Sequence, residues 1–139
     1  DDVDVVLVHD AARPLVPVEV VTAVVAAVRS GHPAVVPGLP VADTIKRVDA
    51  AGDVECTVDR APLRAIQTPQ GFDRQVLQRA HATADLDAAA ATDDAGLVER
   101  LGLPVHVVPG HEEAFKVTTP FDVVIAEAVL ARRRAAGAV

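Results

Sequence analysis

Two periodicities alternate along the chain and set its elements. Val3, Val5, Val6, Leu7 and Val8 form a β-branched run, the pattern of a strand buried in a parallel sheet. From Pro17 to Ser30 the only polar residues before Ser30 are Glu19, Thr22 and Arg29, which fall on one narrow stripe at helical spacing, and Gly31 is a suitable stop. Such a helix packs on most of its sides. Ala34 to Pro37 is a second strand, and strand–helix–strand order predicts a right-handed parallel crossover.

The pattern then changes character. Thr44 to Val48 and Val54 to Asp59 are strand-like runs joined by Asp49-Ala50-Ala51-Gly52, with Asp opening the turn and Gly closing it. Val54, Cys56 and Val58 alternate with Glu55, Thr57 and Asp59, so one face of this hairpin is apolar. A lone two-stranded hairpin is marginal in water, so that face needs a cover, either its own domain or another subunit.

Leu63 to Gln67 reads as a strand, and Asp73 to Ala84 as a helix with Val76, Leu77 and Ala80 inward. Ala88 to Ala91 suits either helix or loop. Thr92 is the expected N-cap of a helix through Leu101, with Asp93 and Asp94 as helix-end charges and Gly102 as the stop. Val105 to Val108 and Phe115 to Val117 are short strands. Thr119-Pro120-Phe121-Asp122 starts a helix with Thr as cap and Pro in first position, and Arg132 to Arg134 form its solvated end. The order is that of one α/β unit carrying a protruding hairpin.

Composition narrows the partners. The 139 residues carry a net charge of −7, with no Trp or Tyr and three Phe, which argues against nucleic-acid binding by counterion release or base stacking. No apolar run reaches the roughly 18 residues a membrane span needs. A single Cys, Cys56, excludes an internal disulfide framework and fits a reducing compartment. Met is absent throughout, and Asp1-Asp2-Val3-Asp4 runs directly into a strand, so Asp1 is expected to be a cut point with a segment upstream.

Ligands of open α/β sheets bind beyond the carboxyl ends of strands, which puts Asp10 and Arg13 in a favourable place. An acid there can hold a divalent cation on phosphate oxygens, and an Arg three residues on can grip a phosphate; the plainer reading is a local ion pair. His9 is read as orienting this loop. His32, His81, His106 and His111 lack metal-ligand spacing and are read as surface residues. Lys116, inside an apolar run, is costly unless it faces a site or a partner.

Taken together, the strings His9-Asp10-Ala11-Ala12-Arg13-Pro14, Asp43-Thr44-Ile45-Lys46, Thr57-Val58-Asp59-Arg60, Gln67-Thr68-Pro69-Gln70, Thr92-Asp93-Asp94-Ala95 and Phe115-Lys116-Val117-Thr118 are specific. In order and spacing they resemble the carboxyl-terminal part of the 2-C-methyl-D-erythritol 4-phosphate cytidylyltransferase family. The resemblance covers essentially the whole chain. It implies a Rossmann-like three-layer nucleotidyltransferase fold with a β-hairpin arm, residues 1–139 being the carboxyl-terminal portion of one domain and 43–60 its dimerisation arm. It implies transfer of CMP from CTP to 2-C-methyl-D-erythritol 4-phosphate with release of pyrophosphate, in non-mevalonate isoprenoid biosynthesis. It further implies Mg2+ or another divalent cation, a homodimer and a cytoplasmic location.

Carried over by this resemblance, Asp10 is the acid near the metal and the substrate hydroxyls, and Arg13 contacts substrate. Thr68, Thr92 and Lys116 line the sugar-phosphate pocket of their own subunit, while Thr44 and Arg60 reach the phosphate in the neighbouring one. Glu113 stands at a substrate-binding position, one methylene longer if Asp is usual there, and Gly96 stands where Ser is expected. Read without the resemblance, Thr44 and Thr57 are ordinary strand residues and Thr92 a cap. Two other functions fit: a ribitol 5-phosphate cytidylyltransferase, and a binding and dimerisation module without turnover. The second has a physical basis. The family's Gly-rich CTP-phosphate loop has no match here, nor does a P-loop or dinucleotide fingerprint, so these residues alone are expected to be inactive.

Overall fold

The computed structural model describes residues 3–83 and 93–137. The chain runs β1 (Val5–Val8), α1 (Val18–Arg29), β2 (Ala34–Pro40), β3 (Ile45–Val48), β4 (Val54–Val58), β5 (Arg64–Ile66), β6 (Gln70–Asp73), α2 (Arg74–Thr83), α3 (Asp94–Arg100), β7 (Val105–Pro109) and α4 (Pro120–Ala135). Side chains alternate across the central strand β2 and divide the core in two. Ala34 and Val36 pack with Phe72, Ala80, Ala95 and Val98 under α2 and α3, whereas Val35 packs with Val24, Val28 and Val108 under α1. Helices on both faces of a mixed sheet make the expected three-layer α/β arrangement.

The sheet departs from the expected parallel order in one respect. β1 and β2 run in the same direction, but β6 lies between them, antiparallel to both. β2 pairs in parallel with β7 on its other side. Among the described residues β1 pairs only with the antiparallel β6 and lies at the end of the sheet, with Leu7 and Val8 exposed, instead of being buried in a parallel sheet. The sequence gives β6 little strand signal, since Gln70-Gly71-Phe72-Asp73 holds only one strong strand former. Gly71 is there for packing. A Cβ at that position would overlap Val24 and crowd Val28, so its absence lets α1 approach the sheet.

β5 and β6 form one interrupted strand along β2. Gly38 pairs with Ile66 and Val35 with Gly71, so three steps on β2 match five on the opposing run. The two extra residues fall in Gln67-Thr68-Pro69, a kink at the sheet's end whose Thr68–Pro69 bond is cis. Phe115 to Val117 is not a strand. A 3₁₀ turn covers Glu112–Ala114, and the extended chain beyond it is tied down by Val117 N–H donating to the Ala12 carbonyl at 2.7 Å.

Local chemistry sets the ends of the elements. Thr119 and Asp122 form a reciprocal capping box at α4, with Pro120 in the first turn. The cap of α3 is Asp93, whose carboxylate accepts from Gly96 N–H at 2.8 Å; the expected cap, Thr92, lies outside the described residues, as does Ala88 to Ala91. β3 and β4 form a separate hairpin whose turn is closed by Asp49 accepting from Ala51 and Asp53, with Gly52 at φ +92°. Its apolar face is bare, with Val48 and Val54 more than half exposed. The Arg run of α4 is not simply solvated: Arg132 and Arg133 both pair with Glu113, and Arg133 also donates to the Leu15 carbonyl at 2.6 Å.

Candidate active site

The end of β1 and the kink between β5 and β6 meet at a cavity of about 300 Å3 lined by Asp10, Arg13, Thr68, Asp93, Asp94 and Lys116, among others. Asp10 and Arg13 close a tight turn, Arg13 N–H donating to the Asp10 carbonyl at 2.9 Å. The β1–β6 ladder ends at the pair Val8–Gln70, and the Thr68 hydroxyl extends the contact by accepting from Asp10 N–H at 3.0 Å. The kink thus delivers a side-chain oxygen where a regular strand would present backbone.

Two cations meet one carboxylate. Asp10 Oδ2 lies 3.3 Å from Arg13 Nε and 3.4 Å from Lys116 Nζ. The two cations are not equivalent. Arg13 is 13% exposed and donates also to the carbonyls of Ala114 and Ile66, so its guanidinium fastens the turn to β5 and to the 3₁₀ turn. Lys116 is 50% exposed, with Asp10 its one ion-pair partner among the described residues, and its ammonium is available to an incoming anion. A strand position does not explain Lys116; the open rim of the cavity does.

The other expected site residues separate. Thr44 and Arg60 are exposed at the base of the hairpin, outside the cavity, with Arg60 donating to the Ala42 carbonyl. Thr92 lies outside the described residues. Glu113 is not brought to the cavity. It lies in a separate groove with Val16, Glu19 and His111, where hydrogen bonds from Arg133, then from Arg132, hold its carboxyl below the usual range against the opposing effect of desolvation.

Two glutamines that sequence reasoning left without a role complete the frame. Gln67, 6% exposed, donates from Nε2 to the His111 carbonyl at 2.9 Å and accepts from His111 N–H at 3.0 Å. Gln70, 4% exposed, donates to Asp93 Oδ2 at 2.9 Å and accepts from Ala95 N–H at 3.3 Å. Both sit in the string around the kink, and two uncharged polar residues flanking Thr-Pro were the available signal.

Among the described residues no group of three or more His, Cys, Asp or Glu converges as metal ligands. A hard cation held by one carboxylate, water and phosphate oxygens needs no such cluster, and Asp10 is the carboxylate that would hold it. Both cations lie against Oδ2 of Asp10. No helix among the described residues is long and apolar enough to cross a membrane.

Comparisons with known proteins bear on the family and the fold. A 2-C-methyl-D-erythritol 4-phosphate cytidylyltransferase of Streptomyces avermitilis is 63% identical over 138 residues, covering 95% of this chain and 54% of the relative. One from Streptomyces coelicolor is 64% identical over 136 residues, covering 94% and 49%. The chain thus spans about half the length of these relatives. The crystal structure of the Thermus thermophilus enzyme superposes with a TM-score of 0.82 at 44% identity, covering 92% of this chain and 62% of that one. The family profile IspD: 2-C-methyl-D-erythritol 4-phosphate cytidylyltransferase matches residues 1–132. With family profile, relatives and fold in agreement, the chain belongs to the 2-C-methyl-D-erythritol 4-phosphate cytidylyltransferase family.

Proposed function

We propose that this chain carries the sugar-phosphate side of a cytidylyltransferase site that transfers CMP from CTP to 2-C-methyl-D-erythritol 4-phosphate, releasing pyrophosphate. The observation that carries the reading is Lys116, an exposed ammonium on the cavity rim beside Asp10 and Thr68. A phosphate oxygen of the sugar phosphate attacks the α-phosphorus of CTP, and the bond to pyrophosphate breaks. Such transfer depends on alignment and on cations facing the developing charge. Lys116 holds the acceptor phosphate, Arg13 keeps the Asp10 turn rigid, and Asp10 and Thr68 orient the hydroxyls. A divalent cation such as Mg2+, when bound through Asp10 and phosphate oxygens, supplies charge neutralisation.

CTP itself is assigned to the part of the relatives' length that this chain does not span, because no Gly-rich phosphate loop occurs in the sequence. The bare apolar face of the β3–β4 hairpin supports a homodimer in which a second copy covers it and receives Thr44 and Arg60. A cytoplasmic location accords with the single free Cys56.

The test is a chimera in which this chain replaces the corresponding residues of the Streptomyces avermitilis relative, assayed for pyrophosphate release from CTP. Turnover with 2-C-methyl-D-erythritol 4-phosphate, lost in Asp10→Asn, is expected, and the 139 residues alone should show none. Turnover with ribitol 5-phosphate only, or none at all, would overturn the reading. Release by the isolated chain would overturn the placement of CTP.

A further inference from the structure

The imidazole of His9 lies between two groups of the turn and the kink, and its hydrogen bonds have a direction. Nε2 is 3.0 Å from the Arg13 carbonyl oxygen, and Nδ1 is 2.9 Å from Thr68 Oγ1. A carbonyl only accepts, so Nε2 carries the proton and donates. In the neutral ring Nδ1 is then an acceptor, and the Thr68 hydroxyl donates to it. Thr68 Oγ1 already accepts from Asp10 N–H at 3.0 Å. The result is a one-way chain, Asp10 N–H to Thr68 O–H to His9 to the Arg13 carbonyl, that closes the turn on itself.

This arithmetic leaves Thr68 with one free lone pair and no free proton. We infer that His9 is a positioning residue whose Nε2–H tautomer commits the Thr68 hydroxyl proton, so that Thr68 offers the cavity only an acceptor and recognises a donating hydroxyl of a polyol. The inference rests on the proposed reading of the site and adds an orientation to it. The polyol end of the ligand lies at Thr68, and its phosphate lies on the Lys116 side, where the ammonium is. His9 acts through Thr68 and through the turn that carries Asp10; it is exposed and lies outside the cavity lining.

Two measurements on the same Streptomyces avermitilis chimera test this. With 15N-labelled histidine, two-bond proton–nitrogen correlations report the tautomer of His9, assigned by its disappearance in His9→Asn. The expected pattern is a protonated Nε2 and an acceptor Nδ1; an Nδ1–H ring, or averaging of the two forms, would overturn the inference. The second measurement is a double-mutant cycle on KM for the sugar phosphate. His9→Ala and Thr68→Val are each expected to raise KM about tenfold, and the pair no more than that, with KM for CTP within about twofold of the parent. His9→Asn keeps an acceptor oxygen near the place of Nδ1 and should recover most of the His9→Ala loss. A merely structural role would move both KM values together, and an additive pair, about a hundredfold, would overturn the inference. A chimera without turnover counts against the proposed function, while the tautomer still decides the role of His9.

Discussion

Replacing Gln70 by leucine tests whether a single buried amide holds the α3 side of the cavity. Leucine occupies a similar volume, so the loss is polar and no large cavity opens. The bond from Nε2 reaches an ionised but exposed carboxylate, Asp93, and is worth about 1.5 kcal/mol, the low end for a charged acceptor. The second loss is of a different kind. Ala95 is 5% exposed, and its N–H is left without the Gln70 oxygen, a desolvation cost of about 1–2 kcal/mol. The cap itself survives, because Asp93 Oδ1 still accepts from Gly96 N–H. The sum is about 3 kcal/mol, or roughly 10 °C in Tm for a chain of this size. Urea and thermal unfolding of the chain, followed by circular dichroism, read it directly. Gln70→Glu should be worse than Gln70→Leu at neutral pH, since it removes the donor and sets a second carboxylate against Asp93. A leucine variant within about 0.5 kcal/mol of the parent, or a glutamate variant no worse than leucine, refutes the reasoning.

Three further outcomes are expected. Lys116→Gln in the Streptomyces avermitilis chimera should raise KM for the sugar phosphate by roughly 10- to 100-fold, with Lys116→Arg intermediate; an unchanged KM in the pyrophosphate-release assay removes Lys116 from the site. Acid should destabilise the protein through Glu113, whose carboxyl is held below its ordinary value of 4.5 by the hydrogen bond from Arg133 first, and through Asp122, held below 3.8 by the Thr118 and Thr119 backbone and hydroxyl groups. A depressed carboxyl contributes stability above its unfolded value and loses it as pH falls through the folded one, so the loss begins below about pH 4.5 and shrinks in Glu113→Gln, as read by Tm against pH. Gly71→Ala should cost about 1–3 kcal/mol by overpacking against Val24, and Val24→Ala in the same chain should return part of it in urea unfolding.

The elements that sequence pattern made legible are those stabilised locally. The α4 start is written in Thr119, Pro120 and Asp122, and the hairpin in Asp49, Gly52 and the alternation from Val54 to Val58. The missed element, β6, has no local signal of that kind. Gln70 faces α3, Gly71 yields space to α1, and Phe72 alone fills the core, so each residue answers to a different tertiary neighbour. Phe115 to Val117 erred in the opposite sense. Its apolar residues suggest a strand, but the 3₁₀ turn and the bond from Val117 to Ala12 make it a tether that delivers Lys116 to the cavity.

The site was legible as a set of residue types and not as a division of labour. In the sequence Arg13 stands as a phosphate grip, Lys116 as a cation that has to face a site or a partner, and Glu113, through the family resemblance, as a substrate-binding acid. Burial separates them: the Arg13 guanidinium already holds a carboxylate and two carbonyls, whereas Lys116, half exposed on the rim, has one ion-pair partner among the described residues. Glu113 is claimed by Arg132 and Arg133, which ties α4 to the turn before Phe115. That tie matters because α4 has no buried residue among those described, and Phe121 and Val124 are exposed. Among the described residues Arg132 and Arg133 tie its last turns to Glu113, while the Thr119 box closes its first turn. Salt should loosen the Arg132 contact, whose side chain is 69% exposed, before the partly buried Arg133–Glu113 pair or the three-layer core, since exposed ion pairs are screened and packed valines are not.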